Sequence, residues 1–220
     1  MLKPMYSVKE IFYTLQGEGR HAGRPAVFCR FAGCNLWTGS EVRRASSLCN
    51  FCDTDFVGVD GHCGGRYNTA AELVEVIEQQ WPEGMPGHPL VVLTGGEPML
   101  QLDEALINAL HDEGFEIALE TNGTIPVPES VDWICVSPKG EAKLLQTSGQ
   151  ELKLVYPQHQ AMPEQFSHLD FDHFYLQPMD TSYIATSSDD GDYVQQAIEY
   201  CLLHPQWHLS LQTHKITGIL

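Results

Sequence analysis

Apolar and polar positions along the 220-residue chain follow two rhythms. Short β-branched and apolar runs, bounded by turn residues, predict strands. They are "AVFCRF" (26–31), "LVVLT" (90–94), "EIALET" (116–121), "DWICVS" (132–137), "ELKLVY" (151–156), "HFYLQP" (173–178) and "HLSLQT" (208–213). Between some of them the period lengthens to that of a helix. "TAAELVEVIEQQW" opens on Thr69 with Glu72 three residues on, a capping box. "LDEALINALHDEG" runs to Gly114, a natural helix end, and "DYVQQAIEYCLLH" is amphipathic.

Strands alternating with helices predict a mostly parallel sheet with crossovers. One connection, "TNGTIPVPESVD" between Glu120 and Trp133, carries two prolines and is too short for a helix. A complete eightfold barrel takes about 250 residues. The expectation is therefore α/β, a partial and incomplete TIM-like β/α barrel with some helices missing. No repeat or Pro/Gly-rich linker divides the chain, so one domain is expected over 1–220.

Placed on this map, the polar residues cluster. Arg30 and Cys34, Thr94 to Pro98, Glu120 to Asn122, Ser137 to Lys139, Gln177, and Gln212 to His214 all fall at or just past strand C-terminal ends. Parallel strands gather those ends on one face, where α/β proteins put their chemistry.

Composition narrows the chemistry. The formal charge is −17, with 12 Lys plus Arg against 29 Asp plus Glu. Such a surface repels phosphate backbones, so a small substrate is expected rather than direct nucleic-acid binding. No run of about 18 apolar residues is present to span a membrane. The N-terminal "MLKPMYSVKEIFYTLQ" has no basic-then-apolar leader, so the expected location is cytoplasmic.

Seven cysteines at irregular spacing, in a chain expected in the cytosol, point to metal binding or catalysis rather than disulfides. Cys34, Cys49 and Cys52 share one stretch, with fourteen residues between the first two and two between the last pair. A structural zinc site would need a fourth ligand, for which Cys63 and His62 are the candidates. An iron–sulfur cluster held at three irons is the alternative. Cys29, Cys135 and Cys201 lie in strand or helix patterns and read as small core hydrophobes, while Cys63 sits in the loop "DGHCGGR".

The neighbouring motifs favour the cluster. "YTLQGEGRHAGRPAVFCRFAGCNLW" (13–37), "CNFCDTDF" (49–56), "LTGGEP" (93–98), "ETNGT" (120–124), "VSPK" (136–139), "LQP" (176–178) and "LQTHK" (211–215) together resemble the radical S-adenosylmethionine superfamily. Within it, they resemble the family that makes 7-carboxy-7-deazaguanine. The likeness runs essentially end to end, and its specificity lies in the joint set. The superfamily usually spaces its cysteines three and then two residues apart; here residues 35–48 are inserted between the first two.

The resemblance implies a barrel of the radical S-adenosylmethionine type and a lyase acting on 6-carboxy-5,6,7,8-tetrahydropterin. S-adenosylmethionine would be cleaved to a 5′-deoxyadenosyl radical that takes hydrogen from C6 of the pterin. Ring contraction and loss of ammonia would follow, in a pathway such as queuosine biosynthesis. The resemblance also implies the site. Cys34, Cys49 and Cys52 would hold a 4Fe-4S cluster whose unique iron binds S-adenosylmethionine. Gly95, Gly96, Glu97, Ser137, Lys139 and Gln177 would contact that cofactor, with Glu97 accepting from its ammonium. Thr54 would ligate Mg²⁺, a hard ion that accepts oxygen ligands. Arg30 offers the planar fork a substrate carboxylate prefers. Gln16, Glu18, Thr94, His214 and the terminal carboxylate of Leu220 would meet the pterin's polar edges. A flavodoxin or ferredoxin as electron donor and a homodimer are further implications.

Two rivals bear different signatures. Another radical enzyme, such as a glycyl-radical activase, shares the cluster but gives no reason for "QGEG" or "LQTHK". A zinc-stapled binding module predicts a colourless protein with no need for reductant.

Overall fold

The computed structural model describes residues 6–84, 86–180 and 192–219. Its centre is one nine-stranded sheet: β1 (Tyr6–Leu15), β2 (Pro25–Phe31), β3 (Gly65–Tyr67), β4 (Leu90–Gly95), β5 (Glu116–Thr121), β6 (Trp133–Val136), β7 (Ser148–Tyr156), β8 (Asp170–Pro178) and β9 (Trp207–Leu209). The order across the sheet is β3-β1-β2-β4-β5-β6-β7-β8-β9. β1 runs antiparallel to both neighbours, and from β2 to β9 every pairing is parallel. The sheet does not close on itself, so the barrel is partial, as expected.

All seven expected strands are present, and so are the three expected helices: α1 (Ala70–Glu78), α2 (Glu104–Asp112) and α3 (Tyr193–Leu203). A fourth, α4 (Thr213–Thr217), takes over part of the run read as the last strand. That strand ends at Leu209; one further bond, Ser210 N–H to the Leu176 carbonyl at 2.8 Å, continues the ladder. Thr213 N–H then turns to the Gly17 carbonyl at 3.0 Å and the chain coils.

β1 was not legible because charge interrupts it at Lys9 and Glu10. The register with β2 shifts between Val8 and Glu10, a bulge, and Lys9 there is nearly buried. Its ammonium is satisfied by the Val57 carbonyl at 3.0 Å, Asp60 at 2.8 Å and Asp55 at 2.9 Å.

Alternation sorts each strand into two faces. Val27, Cys29, Phe31, Val91, Leu93, Ile117, Leu119, Leu152, Leu154 and Leu176 point outward and pack with Leu73, Ile77, Leu106, Ile107, Leu110 and Ala197 of the helices. A smaller inner cluster of Ala26, Leu90, Val92 and Ala118, flanked by Phe28 and Trp133, fills the lower concave face. The Trp133 ring meets His21 in a tilted contact at 4.3 Å and stacks with His173 at 6.0 Å.

The "TNGTIPVPESVD" crossover carries no helix, as its prolines predict. Neither the β6–β7 nor the β7–β8 crossover contains an α-helix. The loops after β5 and β6 stitch together instead, with Leu145 and Gln146 N–H both donating to the Gly123 carbonyl.

Caps fix the helix starts. Thr69 Oγ1 accepts from Glu72 N–H at 3.2 Å, but the Glu72 carboxylate returns to Asn68 N–H, one residue before the reciprocal partner a capping box would use. Asp103 caps α2 at Leu106 N–H, 3.0 Å, and the same oxygen accepts from the phenol of fully buried Tyr6 at 2.7 Å. Two jobs on one carboxylate predict unequal costs. Thr69→Ala removes a cap alone, worth about 1 kcal/mol. Asp103→Ala also leaves a buried phenol unpaired, for a total of about 2–4 kcal/mol. Urea unfolding of the two variants checks the order.

Candidate active site

The inward residues of the strands change from apolar to polar on rising toward the C-terminal ends. Above Phe28 and Val92 stand Arg30 and Thr94, register partners across β2 and β4. Glu120, Lys153 and Gln177 follow on β5, β7 and β8. They line a cavity of about 320 Å³.

Its hub is Lys153, whose side chain is 4% exposed. The ammonium meets Glu18 Oε2 at 2.8 Å and both oxygens of Glu120 at 3.0 and 2.7 Å. Burial favours a neutral amine, but the surrounding carboxylates win and its pKa lies well above that of a free lysine. For Glu18, burial pushes the carboxyl pKa upward; the Lys153 charge and hydrogen bond, with the Gln212 amide, reverse this and hold it at about 2. Gln212 and Gln177 donate to Glu18 Oε1 at 2.9 and 3.2 Å. Gln16 donates to Glu120 at 3.2 Å and accepts from Glu18 N–H at 3.1 Å. Beside them Glu151 is desolvated and its pKa raised, with Arg20 N–H donating to it at 3.1 Å.

Arg30 Nε donates to Glu10 Oε1 at 2.8 Å, so the guanidinium is held side-on at the cavity wall. Opposite it, the loop 16–18 and the start of α4 press together. A methyl group on Gly17 would lie 2.3 Å from His214 Nδ1. Burial lowers the His214 pKa, so near neutral pH its ring is uncharged, with one nitrogen a donor and the other an acceptor.

All three thiols Cys34, Cys49 and Cys52 open on the same cavity. The Cys49 thiol donates to Cys52, which raises its own pKa and lowers that of Cys52 to about 7; the Lys139 charge favours thiolate at both. Cys34 is raised by burial. Among the described residues, no group of three or more His, Cys, Asp and Glu is placed to hold a single metal ion. Cys63 does not line the cavity; it packs on the outer core and takes a 3.7 Å contact from the Gln80 amide. Among the described residues the cavity thus offers three soft thiols, with neither Cys63 nor His62 beside them as a fourth ligand. This fits a cluster of the three-cysteine kind better than a closed zinc tetrahedron.

Gly95 and Gly96 serve the cysteine loop. A methyl group on Gly95 would lie 2.2 Å from the Phe31 carbonyl oxygen, and one on Gly96 2.0 Å from that of Gly33 and 3.0 Å from Cys34 Cβ. Only glycine lets the end of β4 lie this close to the loop carrying Cys34.

Glu97 is the one described residue of the expected set that does not line the cavity. Its carboxylate is fully buried and accepts from Met99 N–H at 3.0 Å, the Thr121 hydroxyl at 2.7 Å and Asn122 N–H at 2.8 Å. It fixes the turn after β5 in this state. Burial raises its pKa against those three bonds. Ser137, whose N–H reaches the Thr121 carbonyl at 2.8 Å, Lys139, Gln177 and Thr54 all line the cavity. Leu220 lies outside the described residues.

Sequence reasoning missed Lys153, Glu10 and Lys215. Lys215 ties three segments at the rim, reaching Asp53 at 2.6 Å, Asp180 at 2.5 Å and Gln212 at 2.9 Å. A signal for Lys153 was available: in "ELKLVY" two charges alternate with leucines on an expected strand of a sheet whose other face is covered by helices. Both therefore share the face opposite the leucines and need partners there.

The Radical SAM superfamily model matches residues 43–156. A 7-carboxy-7-deazaguanine synthase of Caulobacter vibrioides is 62% identical over 214 residues, covering 97% of this chain and 99% of that one. The synthase of the same name from Bordetella pertussis is 60% identical with the same coverage. The crystal structure of QueE from Escherichia coli superposes with a TM-score of 0.65 at 25% identity, covering 94% of this chain and 93% of that one.

The Lys153 hub sets an acid limb. A carboxylate with a depressed folded pKa adds stability that is whole above its ordinary value of 4.5 and is lost as the pH falls toward about 2. Lys153→Met removes the cation, so the stability difference from the unaltered chain should be largest above pH 5 and shrink through that window. At neutral pH the loss should be about 3–5 kcal/mol, that of breaking a buried pair. Urea titrations at pH 3 to 7 check both.

Proposed function

The chain belongs to the radical S-adenosylmethionine superfamily and, within it, to the 7-carboxy-7-deazaguanine synthases, and from this premise we propose how its residues serve that reaction. The enzyme is a carbon–nitrogen lyase that converts 6-carboxy-5,6,7,8-tetrahydropterin to 7-carboxy-7-deazaguanine and ammonia. The observation that carries the site reading is that three thiols, the Arg30–Thr94 pair and the Gln16–Glu18–His214 edge open on one cavity.

Cys34, Cys49 and Cys52 would hold the 4Fe-4S cluster, with Ser137, Lys139 and Gln177 on the S-adenosylmethionine side. When bound, these groups supply a 5′-deoxyadenosyl radical that removes hydrogen from a carbon. The protein's part is to aim one C–H bond and exclude water. Arg30, braced by Glu10, presents a cation to the substrate carboxylate. Glu18, kept ionised by Lys153, accepts from pterin N–H groups, and neutral His214 either donates or accepts beside it. Substrate amino groups would take the place of the Gln177 and Gln212 amides on Glu18, exchanging one hydrogen-bond set for another.

Gly95 and Gly96 act by holding the Cys34 loop. Glu97 keeps one acceptor site on Oε2, which takes Asn122 N–H alone, so it would meet an ammonium only if its buried carboxylate became open to the cavity. Thr54, on the cavity wall two residues after Cys52, is the proposed Mg²⁺ ligand; Asp53 is taken by Lys215 and Gln212. One domain over 1–220 with 35–48 as an insertion, a flavodoxin or ferredoxin as reductant, and a homodimer complete the reading. A cytoplasmic location belongs to the same proposal, supported by a cysteine-rich chain whose thiols would serve a cluster and so need a reducing compartment.

The test is anaerobic product analysis with reconstituted protein, reductant, S-adenosylmethionine and the pterin. The expected product is 7-carboxy-7-deazaguanine, formed faster with Mg²⁺; no product from fully loaded, reduced protein would overturn the assignment. Thr54→Ala should lose most of the Mg²⁺ stimulation and still bind S-adenosylmethionine. An unchanged Mg²⁺ response would remove Thr54 from the site.

A further inference from the structure

The fourteen residues between Cys34 and Cys49 form no core of their own. Glu41–Ser46 is a 3₁₀ turn with no buried residue and no side-chain cap, and Val42 is 95% exposed. Hydrophobic burial therefore does not hold this turn. Yet one of its side chains, Arg44, is only 14% exposed.

The Arg44 guanidinium lies 4.0 Å from the centroid of Trp37. Nε and one terminal nitrogen form a fork on Glu41, both at 2.7 Å. The remaining terminal nitrogen reaches forward along the chain to the carbonyls of Asn50, at 3.2 Å, and Cys52, at 2.9 Å. Trp37 is itself buried and meets the edge of Phe56 at 5.5 Å, and the Phe56 carbonyl accepts from Gly33 N–H at 3.2 Å. The chain on both sides of the widened cysteine motif thus rests on one platform.

Building on the reading that these cysteines hold the cluster, we propose that residues 35–48 are a clamp and that Arg44 is its positioning residue, fixing the Cys49–Cys52 turn through the Cys52 carbonyl. An exposed Arg–Glu pair contributes little by itself. Arg44 differs because the pair with Glu41 orients the guanidinium plane while the stack on Trp37 sets its height, leaving one nitrogen aimed at the turn. This demands arginine. Lysine has no planar fork and offers a single ammonium to a stack, a carboxylate and two carbonyls at once. The clamp explains how a turn at the end of so long an excursion presents its thiols in one geometry: the excursion supplies the tie.

The test compares Arg44→Lys and Arg44→Met with the unaltered full-length chain, first free of iron under anaerobic conditions. Pulse alkylation with iodoacetamide and peptide mapping read the exposure of each thiol. Both variants should label Cys52 several-fold faster, with Cys34 unchanged as internal reference. After reconstitution with iron and sulfide, both should lose iron to a chelator faster, again several-fold. Glu41→Gln, which loosens the guanidinium without removing it, should fall between, and it stands in should an Arg44 variant fail to fold. Equal Cys52 labelling in all chains would overturn the clamp. Normal behaviour of Arg44→Lys would overturn the requirement for a planar fork. An unaltered chain that binds no iron at all would instead defeat the cluster reading, while the Cys52 labelling would still decide the clamp.

Discussion

A single buried ammonium organises this molecule. Lys153 stands on the concave face of β7 with Glu18 and Glu120 against it. Taking three charged groups out of water is costly, and the arrangement holds only if every polar atom finds a partner. That demand recruits the rest of the site. Gln16, Gln177 and Gln212 come from three separate segments, and each is drawn in by a lone pair on one of these carboxylates. Loops far apart in sequence are thereby fixed with little apolar packing among them.

The outer face works by the opposite principle. There the strands bury aliphatic side chains under α1, α2 and α3, and specificity comes from shape. The two faces share each strand residue by residue: Leu152 and Leu154 join the helix-covered core, while Lys153 between them lines the cavity and Glu151 accepts from Arg20 N–H. One strand therefore carries both the main apolar core and the polar site, so packing errors outside would be transmitted to the charges inside.

This division decided what could be read from the chain. Seven strands and three helices follow from periodicity, because burial on the outer face repeats regularly. The cysteines, the double glycine and the polar residues at strand ends were legible because their positions converge once the sheet is parallel. Alternation could place Lys153 on the inner face, but its part as a hub and that of Glu10 as a brace depend on partners the strand does not name, and Glu18 lies far away in sequence. β1 escaped because its bulge carries the buried Lys9, satisfied by a loop some fifty residues on. Glu97 was legible as part of a motif, but the motif says nothing of the three donors that bury its carboxylate away from the cavity.

The sheet that carries all this is open, with β3 at one edge and β9 at the other. An unclosed sheet usually offers its edges as templates on which a second chain can add a strand and start an aggregate. Here each outermost strand is three residues long, Gly65–Tyr67 on one side and Trp207–Leu209 on the other. So short a rim offers a neighbour few amides and carbonyls of its own. Part of the β1 edge that β3 leaves uncovered is taken by a loop, with Gly61 N–H donating to the Lys9 carbonyl and Ile11 N–H to that of His62. Beyond the rim, on the β9 side, the chain turns away at once into the coil that caps the cavity. The wide mouth of a splayed barrel is thus gained without an adhesive border, and a strongly acidic surface reinforces that isolation in a crowded solution.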